Sequence, residues 1–174
     1  MKQLLETVNI PTKDININDL SIFYSVVEQY FNQNDWGYQL YKTFADDRWG
    51  AGTGTRRLMR YTSLIRSMYN NGYKHDYVMT NTDVLMKMHS TLYQAGSSVD
   101  MYHNRVILSP DMSIVNGRHR VTVCVFMKEP IISCVINPDA SKRQTIKYDD
   151  IFSEYENQLL IDCECRLKNT LKLL

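Results

Sequence analysis

The chain has little glycine: 7 residues in 174, against 12 tyrosines and 9 methionines. That balance points to a helix-rich domain with sizeable side chains in its core. Cysteine is scarce too, with 4 residues, and no apolar leader follows Met1. Both features argue against a secreted disulfide scaffold and for a reducing, cytoplasmic compartment. No apolar run approaches the roughly 20 residues that a membrane span requires, so no membrane role is expected. Charge of one sign is missing as well. The 20 Lys+Arg and 19 Asp+Glu leave a net charge of +1, which removes the global basic field behind nonspecific nucleic-acid binding and argues against DNA as a partner. The length suits one domain, 1–174, with a real core.

Against this plain background one stretch is dense in chemistry: Val115-Asn116-Gly117-Arg118-His119-Arg120. An apolar run delivers the chain to Gly117, and two arginines then flank a histidine. If a helix opens after Gly117, its free N–H groups, its dipole and the guanidinium forks converge on one point, a recipe for holding a phosphate. The simpler alternative is a surface basic cluster paired with nearby acids. A second informative stretch runs from residue 45 to 57. Gly50, Gly52 and Gly54 alternate before Thr55, which could cap the next helix and place Arg56 and Arg57 in its first turn. Basic residues there oppose the helix dipole unless an anion is near. The stretch reads either as a second wall of an anion pocket or as a solvated loop; no Gly-Lys-Ser/Thr follows, so it is not a P-loop.

Periodicity places these stretches among regular elements. Residues 1–17 read as an extended arm that packs on the domain. Leu20, Phe23, Val26, Val27, Tyr30 and Phe31 fall at helical spacing. Asn32 to Gly37 breaks that helix, and Tyr38, Leu40 and Tyr41 read as an extended segment. Leu58 to Tyr69 forms an amphipathic helix stopped by Gly72. Tyr77 to Thr80 suits a short strand, and Asn81 to Leu92 another helix, on whose face His89 lies. Arg105 to Leu108 and Ser113 to Val115 read as a hairpin around Ser109-Pro110-Asp111-Met112. Val121 to Phe126 is strand-like by propensity, yet a helix from Gly117 to Lys128 would gather Val121, Cys124 and Val125 on one face and end cleanly at Pro130. Ile131 to Ile136 reads as a buried strand, 137–144 as a polar loop, Asp149 to Leu160 as a helix and Ile161 to Leu174 as a docking helix.

The order Val106-Ile107-Leu108, turn, Ile114 to Arg120, apolar helix, Pro130 and Ile131 to Ile136 resembles the core of the ParB N-terminal and sulfiredoxin superfamily. The signature of that core is Gly-x-His-Arg opening a helix, here Gly117 to Arg120. Upstream, Leu64-Ile65-Arg66-Ser67 ending at Gly72 is similar to another helix of the family. The resemblance spans roughly residues 56–137 and is what decides for helix after Gly117. It implies an α+β fold: a small mixed sheet flanked by helices, with 1–55 as an N-terminal helical extension and 138–174 as a C-terminal helical segment. Departures narrow the function. Sulfiredoxins carry a reactive cysteine where this chain has Arg118, which puts the repair reaction in doubt, and the tail after Asn137 is too short for the helix-turn-helix domain of ParB proteins.

A stand-alone member resembling small-molecule kinases remains. The resemblance implies ATP or another nucleotide with Mg2+, its phosphates held by Asn116, Gly117, Arg118, His119 and Arg120, with Thr55, Arg56 and Arg57 opposite. Phosphoryl transfer to a small hydroxylated acceptor also needs a carboxylate to orient the attacking hydroxyl. Asp46 or Asp47 is the candidate, solvated loop acids being the bland reading; Asp111 lies in the turn before the signature. The alternative function is a nucleotide-gated (CTP or ATP) binding or regulatory module without turnover, and a decayed structural domain is the third. A homodimer is left open. Cys163-Glu164-Cys165, with Cys124 and Cys134, lacks the paired spacing of a structural zinc site, so buried free thiols and no protein metal site are expected.

Overall fold

A computed structural model of the chain describes residues 6–73, 106–140, 146 and 148–174. The expected strand at Tyr77 to Thr80 and helix at Asn81 to Leu92 lie outside the described residues. Among these residues the fold is α+β. Strand β1 (Thr7–Pro11) leads through a short 3-10 turn to helices α1 (Ser21–Tyr30), α2 (Gly37–Trp49) and α3 (Gly54–Asn71). Strands β2 (Ile107–Leu108) and β3 (Ile114–Asn116), helix α4 (Arg118–Phe126), strand β4 (Ile131–Ile136) and helix α5 (Glu154–Lys172) follow. The sheet is mixed, in the order β1-β4-β2-β3. β1 runs antiparallel to β4, β4 parallel to β2, and β2 antiparallel to β3.

Helix α1 is the hub of the helical layer, packing on α2, α4 and α5. Every residue from Ser21 to Glu28 is buried, the polar Ser21, Ser25 and Glu28 included, because neighbours cover the helix on several sides. Leu20, Phe23, Val26 and Val27 join Leu40, Tyr41, Phe44, Tyr61, Ile65, Val121, Ile132 and Leu167 in one buried cluster. That cluster draws on the N-terminal extension, the central segment and the C-terminal helix together. Even the buried Glu28 is satisfied: Arg166 of α5 meets it through a two-pronged contact at 2.7 and 2.9 Å, and the Cys163 thiol donates to it at 3.2 Å. A buried charge held in this way needs both partners.

The expected extended segment at Tyr38 to Tyr41 is instead the first half of α2. Its start signal lay upstream, in Asn34. The Asn34 Oδ1 accepts from Trp36 N–H at 3.1 Å and Gly37 N–H at 2.9 Å, and the Asn34 amide donates to Ser25 O on α1 at 3.0 Å. One side chain thus caps α2 and ties it to α1. Gly37 lets the two helices meet there, since a Cβ at that position would sit 2.2 Å from the Ser25 carbonyl oxygen. Gly37→Ala is therefore expected to destabilise the fold by about 2 kcal/mol through overpacking against backbone, read as a lower urea midpoint at unchanged slope.

The expected arm at 1–17 contains β1, paired residue for residue with β4. The two helical segments expected after Asp149 are a single helix, α5, which begins only at Glu154. Ser153 and Glu156 form a reciprocal capping box there, so the start is fixed by that pair and the leucine pattern runs on without a break. Cys124, Cys134 and Cys163 are buried free thiols as expected, whereas Cys165 is exposed. It falls on the solvent side of α5 between the buried Cys163 and Leu167. No helix among the described residues is long and apolar enough to cross a membrane.

Candidate functional site

The chain enters the central motif along β3 and turns at Gly117, which adopts the left-handed conformation with φ 96°. Glycine tolerates this at no steric cost. Its carbonyl accepts from Val121 N–H at 2.9 Å, closing the first turn of α4. The β-branched run that follows is helical because burial outweighs propensity: Val121, Thr122, Val123, Cys124 and Val125 are all buried. Thr122 helps by returning its hydroxyl to the Arg118 carbonyl at 2.6 Å. Arg118, His119 and Arg120 thus occupy the first turn of a helix whose N–H groups lack intrahelical partners.

His119 turns inward. Although it keeps part of its surface open, its ring lies edge-on to Tyr61 at 4.4 Å and to Phe23 at 4.8 Å between centroids. Its Nε2 meets the Tyr41 hydroxyl at 2.8 Å. Burial first, and then the positive charge of Arg120, Arg57, Arg60 and Arg118, pushes its pKa down to about 3. The imidazole is neutral at pH 7. Tyr41 is buried beneath it on α2, and Tyr61 anchors the other side by donating to Phe23 O at 2.9 Å.

Arg120 lies near Tyr73 and Cys124 as well as His119 and is partly buried; desolvation lowers its pKa. No ion pair or hydrogen bond of its guanidinium occurs among the described residues. This differs sharply from Arg166, whose guanidinium is taken by Glu28. Burying a cation without a counter-charge is costly, and such a group is ready to accept an anion.

The second stretch arrives beside the first. α3 opens at Gly54, one residue before the expected cap, and Thr55 is an exposed residue of the first turn. The cap is supplied by the preceding helix: Asp46 Oδ1 accepts from Gly54 N–H at 2.6 Å. Thr53 adds hydroxyl bonds to Gly50 O at 2.8 Å and Ala45 O at 3.2 Å. Arg56 and Arg57 lie in the first turn, as expected; Arg56 is exposed, and Arg57 stacks over the Trp49 ring at 3.7 Å. Arg57 and Arg60 are near enough to His119 to depress its pKa, so the N-terminal turns of α3 and α4 share one electrostatic region. Besides burial, the leading groups acting on Arg57 there are Tyr41, Arg60, Arg56 and Arg48, and none of these four is a carboxylate.

The two acids proposed from sequence have separate fates. The Asp46 carboxylate is committed to the start of α3, and Asp47 is exposed near it. Asp46→Ala is expected to cost about 1 kcal/mol of stability through the lost cap, measured by thermal unfolding. Asp111 is tied into its own turn, accepting from Ser109 Oγ and from Ser113 N–H. Asn116 ends β3 in register with Ile107. Among the described residues no group of three His, Cys, Asp or Glu side chains gathers as a metal site. A Mg2+ ion arriving with a nucleotide would take most of its ligands from the phosphates and water and would need only one or two protein carboxylates.

Sequence reasoning missed Tyr41, Tyr61, Phe23 and Arg60. Arg60 was accessible, since it stands three residues after Arg57 on the same helical face; the tyrosines carried no local signal. Compared with protein-family models, with curated proteins and with solved structures, the chain matches none.

Proposed function

We propose that this protein binds a nucleotide through its phosphates at the adjoining N-terminal turns of α3 and α4. The observation that carries the reading is the gathering of Arg57, Arg60, Arg118 and Arg120 around His119, with the half-buried Arg120 unpaired among the described residues. Guanidinium forks at helix N-termini are matched to phosphate oxygens in both charge and geometry. The fold is consistent with the ParB/sulfiredoxin-like arrangement that the signature suggests, in which a strand delivers Gly117 to a helix. Phosphotransfer from ATP to a small hydroxylated acceptor is the activity such a site fits first, with Asp47 as the free carboxylate near the Gly50 loop. The engagement of Asp46 by Gly54 favours a second reading, a nucleotide-gated binding module in which no base acts.

Calorimetric titration with ATP, CTP and pyrophosphate, followed by product analysis with candidate hydroxylated acceptors, tests both. Binding that weakens with salt and acceptor-dependent ADP release support the phosphotransferase. Binding with no acceptor dependence supports the gated module. Absence of binding to all of these ligands in a folded protein refutes the site. If Asp47 orients the acceptor, Asp47→Asn retains ATP affinity and loses at least about 100-fold in turnover.

A further inference from the structure

The Tyr41–His119 contact determines which nitrogen of the imidazole carries the proton. Tyr41 is 1% exposed, and among the described residues its hydroxyl has one hydrogen-bond partner, His119 Nε2 at 2.8 Å. If Nε2–H donated to the phenol, the phenolic proton would be buried without an acceptor. If the phenol donates to Nε2, both groups are satisfied. The second arrangement requires a neutral ring protonated on Nδ1. Enclosure between Tyr61 and Phe23, together with the surrounding guanidinium groups, keeps the ring from taking a second proton. Nδ1 has no hydrogen-bond partner among the described residues, yet it is not one of their buried unsatisfied atoms. It therefore reaches solvent, in the field of the four arginines.

We propose that Tyr41 is a positioning residue that locks His119 in the Nδ1–H tautomer, making it a hydrogen-bond donor to the phosphate of the bound ligand. The inference rests on the nucleotide reading above, and it adds a role for a buried tyrosine that lies outside both motifs. The arginines supply charge, and His119 supplies a single directional donor whose orientation is set from behind. A protonated imidazole would add charge, but it could not accept the Tyr41 proton.

The test is the tautomer itself. In protein labelled with 15N-histidine, the His119 ring is assigned by the signals lost in His119→Gln. At pH 7 the wild type is expected to show a protonated Nδ1 and an unprotonated Nε2, with the Nδ1 signal moving on addition of ATP. Tyr41→Phe keeps the ring packing and removes the hydroxyl. It is expected to release the ring to a mixture of tautomers and to weaken ATP binding about fivefold, the effect of one neutral hydrogen bond, while still unfolding cooperatively. An Nε2–H or imidazolium ring in the wild type overturns the proposal whatever ATP does. So does a Tyr41→Phe protein that binds ATP as tightly as the wild type. A wild type with the Nδ1–H ring that binds neither ATP nor pyrophosphate overturns the nucleotide reading and the donor role with it, and the ring signals distinguish that failure from the first.

Discussion

Replacing Arg120 with methionine will weaken nucleotide binding about 100-fold, and the same variant will be more stable than the wild type without ligand, by about 1 kcal/mol. The two effects share one cause. The Arg120 guanidinium is desolvated beside Tyr73 and Cys124, with no carboxylate or hydrogen-bond acceptor for it among the described residues. In the empty protein that arrangement is a net cost, which an apolar side chain of similar length removes. When phosphate arrives, the same group makes charge-assisted hydrogen bonds in a partly dry site, each contributing roughly 1.5–3 kcal/mol. Arg120→Lys keeps the charge and loses the planar fork, so it should recover only part of the affinity. If the arginine were an ordinary structural residue, Arg120→Met would destabilise the fold or leave it unchanged. Urea unfolding and ATP titration of the same preparation decide between these outcomes.

The second large effect is an acid weakness centred on His119. Its folded-state pKa of about 3 lies below the ordinary value of 6.5. Between those values the unfolded chain binds a proton on this residue and the folded chain does not. Unfolding free energy therefore falls as pH drops through 6.5, and continues to fall until pH approaches 3. From pH 7 to pH 5 the loss due to this residue is about 2 kcal/mol. Subtraction isolates it: His119→Gln is less stable at pH 7 because it disturbs the contacts with Tyr41 and Tyr61, but its stability should fall by about 2 kcal/mol less between pH 7 and pH 5 than that of the wild type. All other groups titrate in both proteins. Equal pH slopes would mean that the imidazole is solvated and charges freely.

Local signals carried much of the description. The Gly117 junction, the hairpin around Ser109 to Ser113, and the strand at Ile131 to Ile136 were legible because each is marked by a turn residue or an apolar period. The helix after Gly117 ran against propensity and was reached through the resemblance; the structure supplies its physical reason in the complete burial of Val121 to Val125. Elements whose cause lay elsewhere in the chain were not legible. Tyr38 to Tyr41 looked extended because the residue that starts α2, Asn34, sits in what read only as a helix break, and its bond to Ser25 is tertiary. The site divided in the same way. Arg56 with Arg57, and Arg118 with Arg120, were visible in sequence as two separate basic stretches. That His119 faces the core while Arg120 stays unpaired among the described residues is a matter of helix rotation relative to α1, α2 and α3, which no local pattern encodes. Asp46 shows the converse, since a carboxylate beside a glycine loop reads as chemistry until its hydrogen bond to Gly54 is seen.

The most direct test of the central claim observes the arginines themselves. Side-chain Nε–Hε signals of 15N-arginine-labelled protein, assigned by single substitutions, can be followed during an ATP titration. Arg57, Arg60, Arg118 and Arg120 should move together and saturate at one dissociation constant. Arg166, already held by Glu28, should stay in place as the internal control. Saturating ATP that leaves the four signals unmoved, or that moves Arg166 in their stead, would contradict the account.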